Sequence, residues 1–504
     1  MYLIGLDAGT TGCKAVVFDP EGQIKGYGFE EYGIITGEPA MAEQDAEAVW
    51  GAACRVLRQA AAACSGAERG SIGALSLSVQ GDAVIPVDRR LRPVYNAVLG
   101  MDYRSHPQAE ACARRFGARR LFERTGMRPH PINSLAKILW LKERRPEAYG
   151  RAWKIMTYAD FLLARLGAEP VIDHTMASRT MAFDLRRRTW AAEILGPLGV
   201  DPELLSRPVP SGTAAGMLSR EAAEATGLPE GLHLVTGGHD QTCAGLGAGV
   251  VAEGMGVDSA GTAEVLSTAF TKPALGKAMY QSFYPCYLYT REGMYFTFAL
   301  NHVGGLLLRW YRDMLASPEV ARAKETGRDP YEEILAAVPE GPSSLLVLPH
   351  FNGSGTPWCD LDSKGAILGL SLSSTRHDIA RAILESQSYE LGINLQAMEK
   401  AGITVRKLVA VGGGARSPLW LQIKADVLGR PLSTLKTREA ACLGAAILAG
   451  TSSGVYASVE QAVARCVQEH RRYEPDPRRR ERYQERFQLY KEVYPRLADL
   501  NRRL

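Results

Sequence analysis

Two apolar strands in this sequence each run into a short turn of acidic, small and hydroxyl-bearing residues. The first strand, Leu3–Leu6, is followed by Asp7-Ala8-Gly9-Thr10-Thr11, and the second leads into Asp258-Ser259-Ala260-Gly261-Thr262. Glycine lets the backbone approach a phosphoryl oxygen, threonine hydroxyls and turn N–H groups can donate to it, and an aspartate can hold a hydrated Mg²⁺ ion beside it. One copy alone could be an ordinary tight turn. Two copies, one in each half of the chain, predict a duplicated phosphate-binding unit.

The first turn is followed by Lys14 and then by Ala15–Phe18, which has the character of a second strand. This order predicts a β-hairpin wrapped around phosphate groups. The sequence contains no GxxxxGK[ST] loop, which excludes the P-loop nucleoside triphosphatases as a template.

A candidate acid–base residue, Asp240, follows an apolar strand and a Gly-Gly turn and opens a segment of small residues compatible with a helix. A carboxylate at a helix N-terminus is expected to stay ionised, because the helix dipole and the free N–H groups favour the anion. Asp240 could be a plain helix cap, but its place between the two phosphate-binding turns favours a catalytic base. The neighbouring His239 is more simply interpreted as a packing or hydrogen-bonding residue.

A third cluster joins the strand-like segment Lys407–Val411 to the glycines 412–414 and then to Ser417 and Pro418. Serine before proline is a typical helix start, so this cluster could be structural only. The functional interpretation is that the glycines let a flat adenine lie against bare backbone. The pattern is not GxGxxG, so it gives no support for a dinucleotide-binding fingerprint.

Two further segments, Gln80-Gly81-Asp82 and the acid Asp102, carry acceptors that could bind sugar hydroxyls. Isolated surface acids are common, so Asp82 and Asp102 could each be a residue that binds no ligand. The glycine-containing loop after Phe351 could likewise be structural only.

Composition limits the class of protein. The residues are 46% hydrophobic and 23% charged, which is typical of globular proteins. A chain of 504 residues is long enough for two to four domains. The 59 basic residues nearly balance the 55 acidic ones, so no general nucleic-acid surface is implied. The nine cysteines form no CxxC pair, which fits reduced thiols in a cytoplasm and gives no reason to expect structural zinc. A strand that starts at residue 2 and the lack of a long apolar run lead us to expect neither export nor a membrane span.

Strand-like and helix-like segments alternate along the chain, which predicts an α/β architecture. The expected strands are 3–6, 15–18, 72–79, 234–236, 256–259, 293–299, 345–349 and 407–411, and the expected helices are 46–63, 109–122, 378–399 and 419–428. The alternation restarts after the glycine-rich segment 245–256, so the chain is expected to divide near residue 250. The arginine-rich segment 479–504 has apolar residues at helical spacing, and a docking helix is a simpler interpretation of it than a functional basic patch.

Taken together, these segments resemble the FGGY family of carbohydrate kinases, which belongs to the actin, Hsp70 and hexokinase superfamily. The resemblance runs through nearly the whole chain and also includes Ser134–Leu141, Asp160–Leu166, Ala177–Thr180 and Gln422–Gly429. It implies an α/β fold of two ribonuclease-H-like (actin-like ATPase) domains flanking a catalytic cleft. The division it implies is an N-terminal FGGY domain with the sugar site and first phosphate loop (1–249), a nucleotide-binding C-terminal FGGY domain (250–460) and a helical extension (461–504).

The resemblance also assigns expected roles. It implies ATP and Mg²⁺ as cofactors, Asp240 as the catalytic base, and Asp7 with Asp240 as metal-binding residues acting through water. The nucleotide-binding residues it implies are Thr10, Thr11, Lys14, Gly261, Thr262, Gly305, Gly413, Gly414 and Ser417. The substrate-binding residues it implies are Gln80, Gly81, Asp82, Asp102, Asp240 and Gln241. A homodimer is compatible with the resemblance, and no nucleic-acid or membrane partner is expected.

The substrate is less well defined, because Gly81-Asp82 stands where xylulose kinases of this family typically carry Met-His and glycerol kinases carry Arg-Glu. Asp82 would accept hydrogen bonds from hydroxyls and repel a sugar acid. We therefore expect a neutral ketose such as a pentulose, with glycerol, a tetritol or a pentitol as the alternative. An actin-like ATPase switch would share the phosphate loops without needing Asp82 and Asp102. A sugar sensor without activity would not need Asp7, Asp240 and both phosphate loops.

Overall fold

The computed structural model describes residues 1–504 and contains two large mixed β-sheets with helices packed on their faces. The strands of the first sheet are β1 (Tyr2–Ala8), β2 (Gly12–Phe18), β3 (Ile24–Glu31), β4 (Ile72–Val79), β5 (Ala214–Met217) and β6 (His233–His239). They lie in the order β5-β6-β4-β1-β2-β3, with β1, β4 and β6 parallel and β1–β2 an antiparallel hairpin. The predicted hairpin is confirmed, and it places Asp7 opposite Lys14.

The second sheet repeats this arrangement. Its strands are β7 (Gly254–Ala260), β8 (Glu264–Phe270), β9 (Tyr287–Leu288), β10 (Tyr295–Asn301), β11 (Val405–Val411), β12 (Leu432–Leu435) and β13 (Glu469–Tyr473). They lie in the order β9-β10-β8-β7-β11-β12-β13, with β7, β11 and β12 parallel and β7–β8 an antiparallel hairpin. The hairpin β7–β8 therefore corresponds to β1–β2, β11 to β4, β12 to β6, and the antiparallel edge strand β13 to β5. The α/β fold with a duplicated half is confirmed.

The helices that position the site are α1 (Ala46–Ala62), α2 (Ser134–Arg144), α3 (Tyr158–Leu166), α4 (His174–Arg179), α5 (Asp240–Gly247), α6 (Gly305–Leu315), α7 (Pro330–Ala336), α8 (Arg376–Lys400), α9 (Pro418–Leu428), α10 (Ala440–Ser452) and α11 (Pro477–Asn501). The remaining helices are Gly66–Gly70, His106–Phe116, Ala118–Thr125, Pro146–Arg151, Ala192–Leu195, Arg220–Thr226, Lys277–Gln281, Ser317–Thr326 and Val459–Cys466, with 3₁₀ turns at Gly196–Leu198, Pro202–Leu204 and Gly413–Arg416. Short strand pairs outside the two sheets are formed by Glu43–Gln44, Ile85–Val87, Ala97–Val98, Lys154–Met156, Val171–Asp173, Phe183–Asp184, Thr189–Trp190, Arg207–Val209, Leu346–Leu348 and Ala366–Leu368. None of the helices combines the length and the apolar character that a membrane span requires.

Two helices connect the halves of the molecule. α5 follows the last parallel strand of the first sheet, and α10 follows the corresponding strand of the second sheet. They cross so closely that a Cβ added at Gly247 would lie 1.8 Å from the carbonyl oxygen of Ala440, and one at Gly444 would lie 1.9 Å from that of Cys243. α10 also packs on the first sheet, where a Cβ at Gly5 would lie 1.9 Å from the carbonyl oxygen of Cys442. A helix of the second half therefore covers a face of the first.

Three predicted elements differ in detail. The expected helix 109–122 is interrupted at Gly117, whose φ of 81° ends one helix before the next begins. The expected strand 293–299 begins at Tyr295, because Gly293 adopts a φ of 82° in the preceding turn. The C-terminal segment contains the docking helix α11, which buries Tyr483, Phe487 and Tyr490, but it also supplies the edge strand β13, so it is not wholly helical.

Candidate active site

The turn of the first hairpin is open to the cleft between the halves. Thr11 is exposed and Thr10 is half-buried, so their hydroxyl and N–H groups can reach a ligand. Asp7 lies at the end of β1, where Ser78 Oγ donates to Asp7 Oδ1 at 2.6 Å. Lys14 is turned toward the second half, with its Nζ 2.7 Å from Glu439 Oε2 at the start of α10. The hairpin therefore carries one fixed carboxylate and one cation tied to the opposite half.

The second hairpin is built differently. Its aspartate, Asp258, is fully buried and pairs with Lys424, whose Nζ also lies 2.6 Å from Glu264 Oε1. This internal pairing leaves Asp258 unavailable to a ligand, whereas Gly261 and Thr262 are exposed. Of the two strand-ending aspartates, Asp7 is the one that faces the cleft.

Asp240 is the first residue of α5, and its side chain is 35% exposed toward the cleft. Its Oδ1 accepts the backbone N–H of Gln241. Burial at the base of the cleft raises the pKa of Asp240 to about 7, the Asp7 carboxylate adds to this rise, and the Arg179 guanidinium opposes it. Desolvation therefore outweighs the effect of the helix N-terminus, so the expected ionised form of Asp240 predominates only above about pH 7. Burial raises the pKa of Asp7 as well.

His239 lies beside Asp240, with Nε2 3.2 Å from Asp240 Oδ1 and Nδ1 3.4 Å from the hydroxyl of Tyr287. The ring is buried. Burial, and then the charge of Arg179, hold the pKa of His239 well below its usual value, so the imidazole is neutral at neutral pH. These contacts agree with a packing and hydrogen-bonding residue.

The loop after β4 brings the predicted sugar residues next to Asp240. Gln80 Nε2 donates to the carbonyl of Gly9 at 3.1 Å, which joins this loop to the first phosphate turn. A Cβ at Gly81 would lie 2.8 Å from His239 Nε2 and 3.0 Å from Arg179 Nε. Because residue 81 has no side chain, the imidazole of His239 and the guanidinium of Arg179 can both lie against the backbone at this position.

Asp82 is buried, has a φ of 68° and forms an ion pair with Arg179 through Oδ2. Its Oδ1 has no hydrogen-bond partner, and neither has Arg179 Nε. The guanidinium of Arg179 also stacks near Tyr287 and Phe298 of the second half, with its Cζ 5.2 and 5.5 Å from the ring centroids. Arg179 thus links the loop after β4 (residues 80–82, called the sugar loop below for its predicted ligand) to the opposite domain.

Asp102 is placed less favourably than the sequence suggested. It is 1% exposed, and its carboxylate accepts the backbone N–H groups of Ala42 and Arg104 and the Nε of Arg104. These partners occupy both oxygens. The structure therefore gives Asp102 an internal role and does not bring it to an open surface.

Arg179 and Lys137 are site residues that the sequence interpretation did not single out. Lys137 is fully buried and donates to the carbonyls of Pro131 and Ile132, and burial lowers its pKa to about 8. In the sequence, Lys137 could have been recognised as the one charged residue inside the apolar segment Ser134–Leu141. Arg179 could have been recognised because it lies in a segment that resembles the family.

All six nucleotide-binding candidates of the second half line one cavity of about 370 Å³. These residues are Gly261, Thr262, Gly305, Gly413, Gly414 and Ser417. Aromatic and aliphatic walls are supplied by Tyr331, Leu335 and Trp420, and Ser417 Oγ caps α9 by accepting the N–H of Trp420 at 3.2 Å. Tyr331 could not be recognised from the sequence, because no residue near it marks a ligand site. Polar loops on one side and flat apolar walls on the other suit a purine nucleoside.

Comparison with protein families gives two matches. The description "FGGY family of carbohydrate kinases, N-terminal domain" fits residues 2–247, and the C-terminal domain of the same family fits residues 258–453.

Similar curated proteins have different substrates in their names. The chain is 27% identical to the xylulose kinase of Bacillus subtilis (99% of this chain, 98% of that protein). It is 31% identical to the autoinducer-2 kinase of Klebsiella pneumoniae (98% and 93%) and 30% identical to the gluconokinase of Bacillus subtilis (91% and 88%).

The fold is similar to that of the ligand-bound xylulose kinase from Lactobacillus acidophilus, with a TM-score of 0.89 and 24% identity over 99% of this chain and 98% of that one. The chain belongs to the FGGY family of carbohydrate kinases and is an ATP-dependent sugar kinase.

Proposed function

We propose that the protein transfers the γ-phosphate of ATP to a hydroxyl of a small neutral sugar, a ketose such as a pentulose, with a polyol of the glycerol, tetritol or pentitol type as the alternative. The observation that carries this proposal is the position of Asp240. Its partly exposed carboxylate lies at the start of α5, next to the sugar loop on one side and the first phosphate hairpin on the other.

In the reaction we infer, Asp240 accepts the proton of the substrate hydroxyl while the hydroxyl oxygen attacks the γ-phosphorus in line. The bond from that phosphorus to the bridging oxygen breaks, and ADP leaves. The transition state is loose, so positioning and electrostatic stabilisation supply most of the rate. Thr10, Thr11 and Thr262 would donate to phosphate oxygens, Gly261 would let them approach the backbone because it has no side chain, and the cavity around Ser417 would hold the adenosine.

The donor set at the cleft fits Mg²⁺. Asp7 and Asp240 are close enough for the charge of one to raise the pKa of the other, and two carboxylate oxygens that repel each other are a favourable site for a hard cation. Mg²⁺ held by these two residues through water would supply positive charge to the phosphoryl oxygens. Asp7 would then serve as a fixed anchor, because Ser78 holds its orientation.

A neutral substrate is favoured over a sugar acid by the charges around the sugar loop. Arg179 is already paired with Asp82, and Lys137 is fully buried against two carbonyls. Neither cation is therefore free to balance a substrate carboxylate, which would be costly to desolvate alone. Because one of the similar proteins is named a gluconokinase, activity with gluconate distinguishes a sugar-acid kinase from a kinase of neutral sugars.

The ketose is preferred to a polyol because xylulose kinase is among the relatives that match over nearly the full length. Asp82 would accept a hydrogen bond from one substrate hydroxyl at Oδ1, which has no partner in the protein, once the substrate displaces the side chains packed around this atom. A ketose and a polyol could both make this contact.

The test is a coupled assay of ADP release at fixed Mg-ATP with pentuloses, hexuloses, tetritols, pentitols, glycerol and gluconate. We expect the highest kcat/KM with a pentulose and no stimulation by gluconate. Asp240→Asn should lower kcat by about 10³-fold while ATP affinity stays within a few-fold. Asp499→Asn, on the exposed end of α11, is the matched control. ATP turnover that no sugar or polyol stimulates would contradict the proposal, and so would full activity of Asp240→Asn.

A further inference from the structure

A second cavity, of about 420 Å³, borders the same glycine turn as the nucleotide cavity. It shares Gly413 and Arg416 with that cavity, but its other walls are the ends of β11 and β12 and the edge strand β13. We call it the β11–β12 crevice. The carboxyl ends of adjacent parallel strands are where open α/β sheets bind ligands. Of the predicted nucleotide-binding residues, only Gly413 lines this crevice, so a bound nucleotide leaves most of it unoccupied.

The charge of the β11–β12 crevice is strongly one-sided. Three arginines and one histidine line it, and no aspartate or glutamate does; they are Arg416, Arg438, His470 and Arg471. None of these arginines forms an ion pair. Nearby arginines that do are Arg430, Arg472 and Arg479. Exposed arginines that line one crevice with no carboxylate among them create a positive potential that favours an anion.

Two hydroxyl groups add directional donors. Thr434 Oγ1 accepts the backbone N–H of Arg471 at 3.3 Å, and Thr437 Oγ1 accepts that of Glu439 at 3.2 Å. Neither hydroxyl donates to a protein atom. Since a hydroxyl is both acceptor and donor, each keeps its hydrogen for a ligand. Guanidinium and hydroxyl donors together match the geometry of phosphate oxygens.

The internal duplication gives the crevice a counterpart. β11 corresponds to β4, β12 to β6 and β13 to β5, and the helix after β12 corresponds to the helix after β6. In the first sheet, the loop after β4 and the start of the helix after β6 enclose Gly81 and Asp240. The β11–β12 crevice is the same location in the second sheet. The first copy presents Asp82 and Asp240 there, whereas in the second copy Glu439 is paired with Lys14 and the arginines of the crevice have no acidic partner, so the two locations suit ligands of different charge.

We propose that the β11–β12 crevice binds a small phosphorylated metabolite, separately from the nucleotide. The ligand would place a phosphate between Arg438 and Arg471, with the hydroxyls of Thr434 and Thr437 donating to its oxygens. A cavity of this volume holds a sugar phosphate. The site requires neither turnover nor any particular sugar substrate.

The test is calorimetric titration with glucose 1,6-bisphosphate and, in a separate arm, inorganic phosphate, at saturating Mg²⁺ and a non-hydrolysable ATP analogue. The analogue occupies the nucleotide site, so binding that remains must lie elsewhere. We expect both probes to bind, the bisphosphate more tightly. R438A/R471A should weaken both by about tenfold or more, and each single substitution by less.

The matched control is R472A, which removes the same charge from the neighbouring residue of β13, where the side chain pairs with Glu474 outside the crevice. It should leave both affinities within about twofold. Unchanged affinity for the ATP analogue verifies the fold of every variant. The proposal is overturned if neither probe binds at millimolar concentration, if saturating analogue abolishes binding, or if R438A/R471A and R472A behave alike. Because the readout is binding, failure of sugar phosphorylation would leave this result interpretable.

Discussion

Asp240 combines a partly exposed carboxylate with a desolvated setting, and this combination determines when it can accept a proton. A base in phosphoryl transfer must be ionised, yet burial and the charge of Asp7 both favour its neutral form. The residue type and its place at a helix start could be predicted from sequence. The dominance of desolvation could not, because it depends on how residues from both halves close around the carboxyl group.

We expect the acid limb of kcat/KM for the sugar to reflect this pKa. Activity should fall as pH drops through about 7 when free Mg²⁺ is scarce, since protonated Asp240 cannot accept the substrate proton. Raising free Mg²⁺ at constant Mg-ATP should move the midpoint to lower pH, because a nearby cation stabilises the ionised form. Initial rates measured across pH at two free Mg²⁺ concentrations test this. A midpoint below pH 5 at both concentrations would contradict it.

Gly81 is the residue whose small size shapes the sugar loop. In Gly81→Ala, the new Cβ would meet His239 Nε2 at 2.8 Å and Arg179 Nε at 3.0 Å, so one of these side chains has to move. Such overpacking costs about 1–3 kcal/mol, which corresponds to a rise in sugar KM of roughly 5- to 150-fold. We expect the KM for ATP to change little. Steady-state kinetics with the best substrate of the screen measures both values.

Gly276→Ala provides the control for this variant, because no atom lies within 4 Å of its added Cβ. It should leave both KM values unchanged. An unaltered sugar KM in Gly81→Ala would show that Arg179 and His239 do not shape the sugar site. The sequence marked Gly81-Asp82 as unusual for the family, but the partner that fills the space, Arg179, lies far away in the chain and became visible only in the fold.

The elements of secondary structure were largely predictable because their signals are local. The hairpin β1–β2, the start of α9 at Ser417 and the docking helix α11 follow from turn residues, a capping serine and apolar spacing. The break at Gly117 was missed, since the apolar pattern continues across it. The edge strand β13 was missed as well, because its residues Glu469–Tyr473 are mostly polar and form a strand only by pairing with β12.

The crossing of α5 and α10 depends on glycines at their contact. In Gly444→Ala, the new Cβ would lie 1.9 Å from the backbone carbonyl oxygen of Cys243, which cannot rotate away. We expect the free energy of unfolding to fall by about 3 kcal/mol or more. Urea denaturation followed by circular dichroism measures this change.

Gly150→Ala is the comparison variant for the helix crossing. Gly150 lies in the helix Pro146–Arg151 with open space around it, so alanine should be neutral or stabilise by about 0.5–1 kcal/mol. Equal stabilities of the two variants would mean that the helices separate without cost.

At the scale of the whole molecule, the two halves are duplicated but interlocked. The helix that follows the last parallel strand of each sheet, α5 or α10, reaches the other half. Lys14 also pairs with Glu439 across the cleft. Arg179 also reaches the rings of Tyr287 and Phe298. The duplication could be read from the repeated turn pattern in the sequence. The exchange of helices could not, because α10 has an apolar composition that suits either sheet.

This exchange predicts that the first half does not fold alone. A fragment of residues 1–249 lacks α10, so the face of the first sheet that α10 covers, including the backbone at Gly5, would be open to water. Buried α10 side chains such as Leu443 and Ile447 each contribute about 1.5–3 kcal/mol when packed. We expect the fragment to bind a hydrophobic dye and to be digested rapidly by protease. Co-expression with residues 250–504 should restore resistance, and the intact chain should unfold in one cooperative transition. A protease-resistant fragment 1–249 with a sharp thermal transition of its own would show that the helix exchange is not needed for folding.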